Sequence, residues 1–390
     1  MSAAMPQGGV IVTLSASNFA IGMGAFVVIG LLDPMAASLG ISRSAAGWAM
    51  TIYALSYAIL SPMLVSLTGG FGRRRVLAAA MALFAVGNTL CALAPDTTTL
   101  LAGRAVAAAG AGLFTPVSAA VAAGLAPPEA RGKVLASVIF GLSLAQVFGV
   151  PAGSWIAFTF GWRVAFWLVT ALALVAIVLT WTRVPKGLSF AVVGLSQLRE
   201  VLSDGIAMAA TLFTASFLAA IFILYTYLGP VLSDQMGYGR DAITLTLVIY
   251  GLGAVIGNVA GGWMADRLGF MSTLAILCIG QIVLMPLFAA FPLADAVVLA
   301  LVFVWSAFGW SFMAAQQIRL LGLTGEKASV ALAINAAAIY VGNALGAAFG
   351  GLVLERAGLV WLGPAAGVAA LGALVHLLWS HRAARLRGRE

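Results

Sequence analysis

An acidic residue and a basic residue each lie deep within long apolar stretches of the sequence. Asp33 is the only acidic residue well inside such a stretch, and Arg104 is followed by the alanine- and glycine-rich segment 105–112. A charge at the centre of a bilayer costs about 2.5–3.5 kcal/mol on insertion scales, so such residues face a cavity, water or a partner. We interpret Asp33 as a residue that takes up and releases a proton.

The composition of the chain is that of an integral membrane protein. Hydrophobic residues make up 63% of the sequence and charged residues 8%, and the mean hydropathy is +1.09. Soluble domains carry about 25% charged residues, which excludes that class. The apolar windows do not alternate as barrel strands would, so we expect an all-α integral membrane protein.

Windows of about 20 apolar residues, bounded by charges, proline or glycine clusters, mark the predicted spans. They lie near residues 10–38, 45–68, 75–94, 98–124, 133–158, 162–183, 206–232, 242–265, 271–291, 294–320, 328–354 and 359–380. The sequence therefore predicts twelve transmembrane helices.

The longest polar interruption divides these spans into two groups of six. We predict an N-terminal six-helix bundle at residues 1–184, a cytoplasmic linker at 185–204 and a C-terminal six-helix bundle with a basic tail at 205–390. Within the linker, residues 190–202 mix apolar and charged side chains, which favours a short helix on the membrane surface. The two cysteines, Cys91 and Cys278, lie in apolar spans and indicate neither a disulfide nor a metal site.

The net charge of +8 reflects membrane orientation rather than nucleic-acid binding. With a cytoplasmic N-terminus, the cytoplasmic loops and ends carry Arg73, Arg74, Arg75, Arg131, Lys133, Arg183, Lys186, Arg199, Arg267, Arg319, Lys327, Arg382, Arg385, Arg387 and Arg389. The opposite side carries only Arg43, Arg163, Arg240 and Arg356. This bias predicts that both termini are cytoplasmic.

Two loops, residues 69–75 in the first half and 262–269 in the second, have similar sequences. Aligning Gly72 with Gly269 offsets the halves by 269 − 72 = 197 residues, about half the chain. Such a repeat is typical of a duplicated six-helix unit with a substrate site between the halves.

The loops and spans resemble the major facilitator superfamily, specifically its bacterial drug and sugar efflux branch, over nearly the whole chain. The second-half loop matches the family signature Gly-x-x-x-Asp-Arg-x-Gly at Gly262, Asp266, Arg267 and Gly269. The first-half copy keeps Gly72, Arg73 and Arg74 but has Gly69 where the family usually has an Asp. The resemblance implies that these loops form a cytoplasmic latch. The alternative is a tight turn with orientation charges.

The fifth span carries a second family resemblance, to the antiporter motif of efflux members. Gly149, Pro151 and Gly153 give the pattern Gly-x-Pro-x-Gly. Proline bends a helix and glycines allow close backbone contact, so a helix of this kind can seal one side of the interface between halves.

The resemblance also implies that the first and fourth spans are neighbours. Asp33 lies about 7 Å from the external end of its helix and Arg104 about 9 Å from the external start of the fourth. We therefore expect an ion pair or a water-linked pair that couples protons. The alternative is that Asp33 reaches the outer headgroup water and Arg104 bonds backbone carbonyls.

Polar and aromatic residues of both halves are candidates for the substrate cavity. They are Asn18, Tyr53, Tyr57, Gln146, Tyr225, Tyr227, Tyr250, Trp305, Trp310, Asn335 and Tyr340. Most of the amide side chains have an alternative interpretation as hydrogen bonds between helices.

The resemblance implies a proton-coupled exporter of small, largely apolar or weakly cationic compounds such as drugs, working by alternating access in the bacterial inner membrane. Alternatives are an exporter of a sugar or nucleoside and a proton-independent facilitator or uptake permease. The partners expected are a small-molecule substrate, protons and the lipid bilayer, but no nucleic acid. We expect a monomer with no cofactor, no metal and no enzymatic activity.

Overall fold

The computed structural model describes residues 7–188 and 200–388 as an all-helical protein. Within these residues, eleven helices are long and apolar enough to span a bilayer. The predicted surface helix at 190–202 lies mostly outside the described residues.

The helices follow the predicted spans closely. They are α1 (Gln7–Phe26), α2 (Val28–Leu39), α3 (Arg43–Leu67), α4 (Arg73–Leu93), α5 (Thr97–Leu125), α6 (Arg131–Leu144), α7 (Val150–Phe160), α8 (Trp162–Arg183), α9 (Gly205–Tyr225), α10 (Leu228–Met236), α11 (Arg240–Leu284), α12 (Asp295–Trp310), α13 (Phe312–Thr324), α14 (Ala328–Ala357) and α15 (Leu362–Leu386). The first and seventh predicted spans are each split into two helices, at Val27 and at residues 226–227. A π-helical turn, Ala145–Gly149, joins α6 to α7.

The longest helix folds back on itself. Its backbone is non-helical at Gly269. Gly253 lies against Ser306, and the Gln281 side-chain amide donates to the carbonyl of the adjacent Trp305 at 3.3 Å. A straight helix would separate residues 253 and 281 by about 42 Å. The two limbs are therefore antiparallel, and they correspond to the spans predicted at 242–265 and 271–291.

The internal repeat extends well beyond the loop that suggested it. Gly40 and Gly237, which end α2 and α10, both adopt left-handed conformations, and 237 − 40 = 197. The same offset relates Gly161 to Gly358, again with positive φ at both. Glycine is favoured at such helix ends because it has no Cβ to clash. The two halves thus share helix ends and turns.

The halves meet along a seam that we define by three packed helix pairs. α3 packs against α14, α7 against α11, and α2 against α10. We call the end of the bundle that holds the Gly40 and Gly237 turns the distal end. The end where the described chain begins and finishes is the proximal end.

Candidate functional site

Arg43 joins the two halves at the distal end by donating to one carboxylate of each half. Its Nε donates to Asp33 Oδ1 at 2.6 Å within the first half. Its Nη1 and Nη2 donate to Asp234 Oδ2 and Oδ1 of the second half at 2.5 and 2.7 Å. This bidentate geometry is the strong form of an arginine–carboxylate pair. We call the three residues Asp33, Arg43 and Asp234 the distal clasp.

Local sequence explains why the clasp forms. α2 ends at Gly40, whose left-handed backbone reverses the chain. The side chain of Ser42 then caps α3 by accepting from the amide of Ala45 at 3.1 Å. This turn brings Arg43 back over Asp33, ten residues earlier. The repeat-related turn at Gly237 leaves Asp234 at the facing edge of the second half.

A second arginine crosses the distal end at the repeat-related position, since 240 − 43 = 197. Arg240 Nη1 donates to Thr159 Oγ1 of the first half at 3.1 Å. Its guanidinium lies 5.3 Å from the ring centroid of Trp155, within cation–π range. Arg240 also pairs with its neighbour Asp241 at 2.7 Å. Each half therefore sends an arginine from the start of its second span across the seam.

The clasp borders a cavity of about 530 Å³ at the distal end. Asp33, Arg43, Phe158, Ser233 and Tyr238 are among its lining residues. The Tyr238 hydroxyl donates to Asp295 Oδ1 at 2.7 Å, and burial together with this bond raises the pKa of Tyr238 to about 12. Tyr238 is therefore a neutral hydrogen-bond donor at physiological pH.

Arg104 does not pair with Asp33, so the expected ion pair is wrong. The Arg104 side chain is fully buried and donates to three backbone carbonyls: Ala49 at 3.0 Å, Gly24 at 2.6 Å and Ala25 at 3.0 Å. Its guanidinium also lies 4.2 Å from the ring centroid of Tyr53. Arg104 thus ties α5 to α1 and α3, which is the alternative interpretation of this residue.

Two of the candidate cavity tyrosines meet across the seam. The rings of Tyr57 and Tyr340 are stacked, with centroids 3.5 Å apart and planes at 17°. Towards the distal end, Phe26 and Phe222 form a second pair across the seam at 6.2 Å. Aromatic side chains from both halves therefore line the middle of the interface.

Four other candidates form an aromatic cluster inside the second half. Tyr225 and Tyr250 are stacked at 4.0 Å, and Trp305 lies edge-on to both at 6.3 and 5.3 Å. The indole of Trp310 donates to the Tyr250 hydroxyl at 3.1 Å. All four side chains are buried.

Some polar candidates join helices within one half. Asn18 donates to Ser118 Oγ at 3.1 Å and accepts from Thr115, which links α1 to α5. Asn335 accepts from Thr214 Oγ1 at 2.6 Å, which links α14 to α9. These bonds match the alternative interpretation of the amide side chains.

Two further cavity candidates lie at the seam. The Tyr227 hydroxyl donates to the carbonyl of Ala347 at 3.0 Å and lies against Gly47 of the first half. Gln146 belongs to the π-helical turn, and its backbone packs against Gly251 of α11. π-turns inside helices frequently mark functional sites.

The antiporter-like motif follows that turn directly. Gly149 ends the π-helical turn, and Pro151 lies in the first turn of α7. Gly153 packs against Val27 of the first span. The motif therefore lies in a span whose neighbours are α1 and α11, where the seam runs.

The signature loops lie at the proximal end. In the first half, Gly72 precedes α4, Arg73 is buried against the carbonyl of Gly69 at 3.3 Å, and Arg74 lies over the Trp181 ring at 4.4 Å. The matching second-half residues follow Gly262: Arg267 lies over Trp263 at 4.8 Å, and Asp266 is exposed. Among the described residues, Asp266 forms no ion pair. The latch that the resemblance implies stays a prediction.

Comparison with known proteins decides the family. The sequence profile of the Major Facilitator Superfamily matches residues 14–322. This chain belongs to the Major Facilitator Superfamily. It is 32% identical to the inner membrane transport protein YdhP of Escherichia coli (strain K12) over 347 residues, 88% of each chain. It is 30% identical to the chloramphenicol resistance protein of Streptomyces lividans, over 85% of this chain and 86% of that one.

A solved structure agrees with this assignment at the level of fold. The D-xylose-proton symporter superimposes with a TM-score of 0.74 over 95% of this chain and 97% of its own, at 20% identity. As a Major Facilitator Superfamily protein, the chain is a multi-pass membrane transporter and not an enzyme. The sequence prediction on both points is confirmed.

Sequence reasoning missed two members of the distal clasp. The pattern of basic residues gives Arg43 only an orientation role, and Asp234 lies outside the predicted seventh span, 206–232. One signal was present, because Arg43 and Arg240 share the offset of 197 residues that relates the signature loops. Asp234 has no counterpart at position 37, which is an alanine, so the repeat alone does not indicate it.

Proposed function

We propose that this transporter exports small, largely apolar or weakly cationic compounds in exchange for protons, with Asp33 as the proton site. The distal end faces the outside, and both termini are cytoplasmic. This orientation is supported by the sequence, which assigns fifteen basic residues to the cytoplasmic loops and ends and four to the opposite side.

One observation carries the proposal: the acidic residue inside the first span is part of the contact that closes the distal end. Asp33 Oδ1 holds the Nε of Arg43, while the other two nitrogens of Arg43 hold Asp234 across the seam. A change in the charge of Asp33 therefore acts on the side chain that forms the bond between the halves.

The free oxygen of Asp33 supports a proton-binding role. Asp33 Oδ2 is buried and has no hydrogen-bond donor among the residues that the structure describes. This oxygen is therefore an acceptor position that no described side chain fills and that a proton can occupy. The Asp33 side chain is 17% exposed and borders the distal cavity, so protons reach it from the outside.

Protonation of Asp33 weakens its bond to Arg43, because the charge that attracts the guanidinium is lost. Arg43 is then less firmly held towards Asp234, and the distal end opens more easily. By linkage, opening of the distal end favours proton uptake to the same extent. Substrate leaves by the opened end, and the proton taken up there is released on the cytoplasmic side.

The substrate class follows from the aromatic lining. The stacked Tyr57–Tyr340 pair at the seam offers planar apolar surfaces and few charges. The second pair at the seam contacts the buried tyrosine–tryptophan cluster of the second half through Phe222 and Tyr225. Aromatic faces bind apolar groups and attract weak organic cations. The name of the Streptomyces lividans relative suggests chloramphenicol as a first test compound.

The test is chloramphenicol transport in proteoliposomes under an imposed pH gradient. We expect Asp33→Asn to abolish transport driven by the pH gradient. The variant should still exchange chloramphenicol across the membrane when no pH gradient is imposed. Asp96→Asn is the matched control, because Asp96 lies at the same end and its described side-chain bond is to the amide of Thr99 in the helix that it caps. Full gradient-driven transport by Asp33→Asn would leave Asp33 as a structural residue and favour a proton-independent facilitator.

A further inference from the structure

Asn343 is a fully buried polar residue in the middle of α14 whose amide has no partner. Neither its Oδ1 nor its Nδ2 forms a hydrogen bond with any residue that the structure describes. Asn335, two turns earlier on the same helix, is also buried but bonds Thr214. The two asparagines therefore differ: one amide joins two helices, and the other joins none.

The helix geometry places Asn343 at the seam. At about 100° per residue, Asn343 lies about 60° from Tyr340 on one side and about 60° from Gly346 on the other. Tyr340 stacks on Tyr57 of the first half, and Gly346 packs against Phe222 of the second. α14 packs against both α3 and α9, and Asn343 lies on the part of its surface between these two contacts and between the two aromatic pairs that cross the interface.

An amide in this position disfavours the closed seam. Burial removes the water molecules that would bond the amide. No described residue replaces those hydrogen bonds for either the donor or the acceptor, so the cost of desolvation is not offset. Satisfying the amide requires either another conformation or a ligand. A ligand that satisfies it presents a hydrogen-bonding group to the amide and apolar surface to the aromatic pairs on either side.

We propose that Asn343 is a specificity-determining residue that binds the amide or hydroxyl group of an otherwise lipophilic, uncharged substrate. The amide oxygen accepts from the substrate N–H or O–H, and the amide nitrogen donates to the substrate carbonyl or hydroxyl oxygen. The aromatic pairs on either side hold the apolar body. This inference rests on the proposed export function and names the chemical class that the central seam selects.

The test compares two ligands that differ in one hydrogen-bond donor. Chloramphenicol carries a secondary amide, and its N-methyl amide analogue lacks the N–H. Binding of both to the purified full-length protein in nanodiscs, at fixed pH, is measured for the wild type, Asn343→Leu and Asn335→Leu. We expect the wild type to prefer chloramphenicol by about tenfold or more, since one unmatched polar group costs about that factor. In Asn343→Leu the preference falls to about one.

Stability measurements keep the test falsifiable. Because no protein bond is lost, the thermal midpoint of Asn343→Leu stays at or above that of the wild type. Asn335→Leu leaves Thr214 unpaired, so its midpoint falls while the ligand preference is retained. A preserved preference in Asn343→Leu, equal or absent binding of both compounds by the wild type, or a lowered midpoint in Asn343→Leu would each overturn the proposal.

Binding at fixed pH needs no proton gradient. If Asp33 does not couple protons, the transport assay fails but the binding preference at Asn343 is unaffected, so the two outcomes can be told apart.

Discussion

Arg43, at the start of the second span of the first half, donates two hydrogen bonds to Asp234, near the end of the first span of the second half. The same guanidinium donates to Asp33 of its own half. A single side chain thus connects a candidate proton site to the contact that closes the distal end. Breaking that contact is therefore expected to change which side of the membrane the seam opens to.

Replacing Arg43 by glutamine is expected to open the distal end. Glutamine keeps a polar group but loses the charge and the bidentate geometry that hold Asp234. Thr51 of α3 is buried and lies beside Tyr227 and Ala347 of the second half, so it reports on the seam. The measurement is the labelling rate of Thr51→Cys by a membrane-impermeant maleimide added to cells, with Cys91 and Cys278 replaced by alanine. We expect labelling to accelerate several-fold.

Arg163→Gln is the matched control for this prediction. Arg163 lies at the same end and also bonds two partners, Ser38 and the carbonyl of Ala94, but both belong to the first half. Its loss should leave the labelling rate of Thr51→Cys unchanged. Equal rates for the Arg43 and Arg163 variants would show that the distal clasp does not hold the seam closed.

Arg104→Lys is expected to destabilise the fold. Lysine cannot reproduce the planar fork that satisfies the carbonyls of Ala49, Gly24 and Ala25 together, or the contact with the Tyr53 ring. Losing hydrogen bonds to a charged group costs about 1.5–3 kcal/mol each, so the free energy of unfolding should fall by about 3 kcal/mol.

Denaturant unfolding of the purified protein in detergent measures this change. Arg74→Lys is the control, because Arg74 bonds only one described carbonyl, that of Trp181, at the proximal surface. If Arg104→Lys unfolds like the control, the three carbonyl bonds contribute nothing to stability, and the structural assignment of Arg104 is wrong.

The sequence predicts most of the fold because membrane helices carry a strong local signal. Runs of about 20 apolar residues located every span, and the loop pair at Gly72 and Gly269 revealed the repeat that also relates the Gly40 and Gly237 turns. The breaks at Val27 and at residues 226–227 were not predicted, because no residue of special conformation marks them.

The candidate site was predicted less well, since its contacts depend on distances between helices. The sequence places Arg104 and Asp33 at similar depths in the membrane, but depth alone does not determine which groups are close enough to bond. Gly24 and Ala25 are small residues, so the guanidinium of Arg104 fits closely against their backbone carbonyls. Asp33, in turn, lies only ten residues before Arg43 in the sequence. The single turn at Gly40 brings the two side chains together without a contact across the bundle.

The most direct test of the account is proton release when chloramphenicol is added to the purified protein in weakly buffered solution. The wild type should release protons on binding, and Asp33→Asn should bind without releasing any. Asp96→Asn is the control: the amide of Thr99 donates to Asp96 and holds the pKa of that exposed carboxyl below its usual value, so it is already ionised at neutral pH. Equal proton release by the wild type and Asp33→Asn would contradict the assignment of Asp33 as the coupling site.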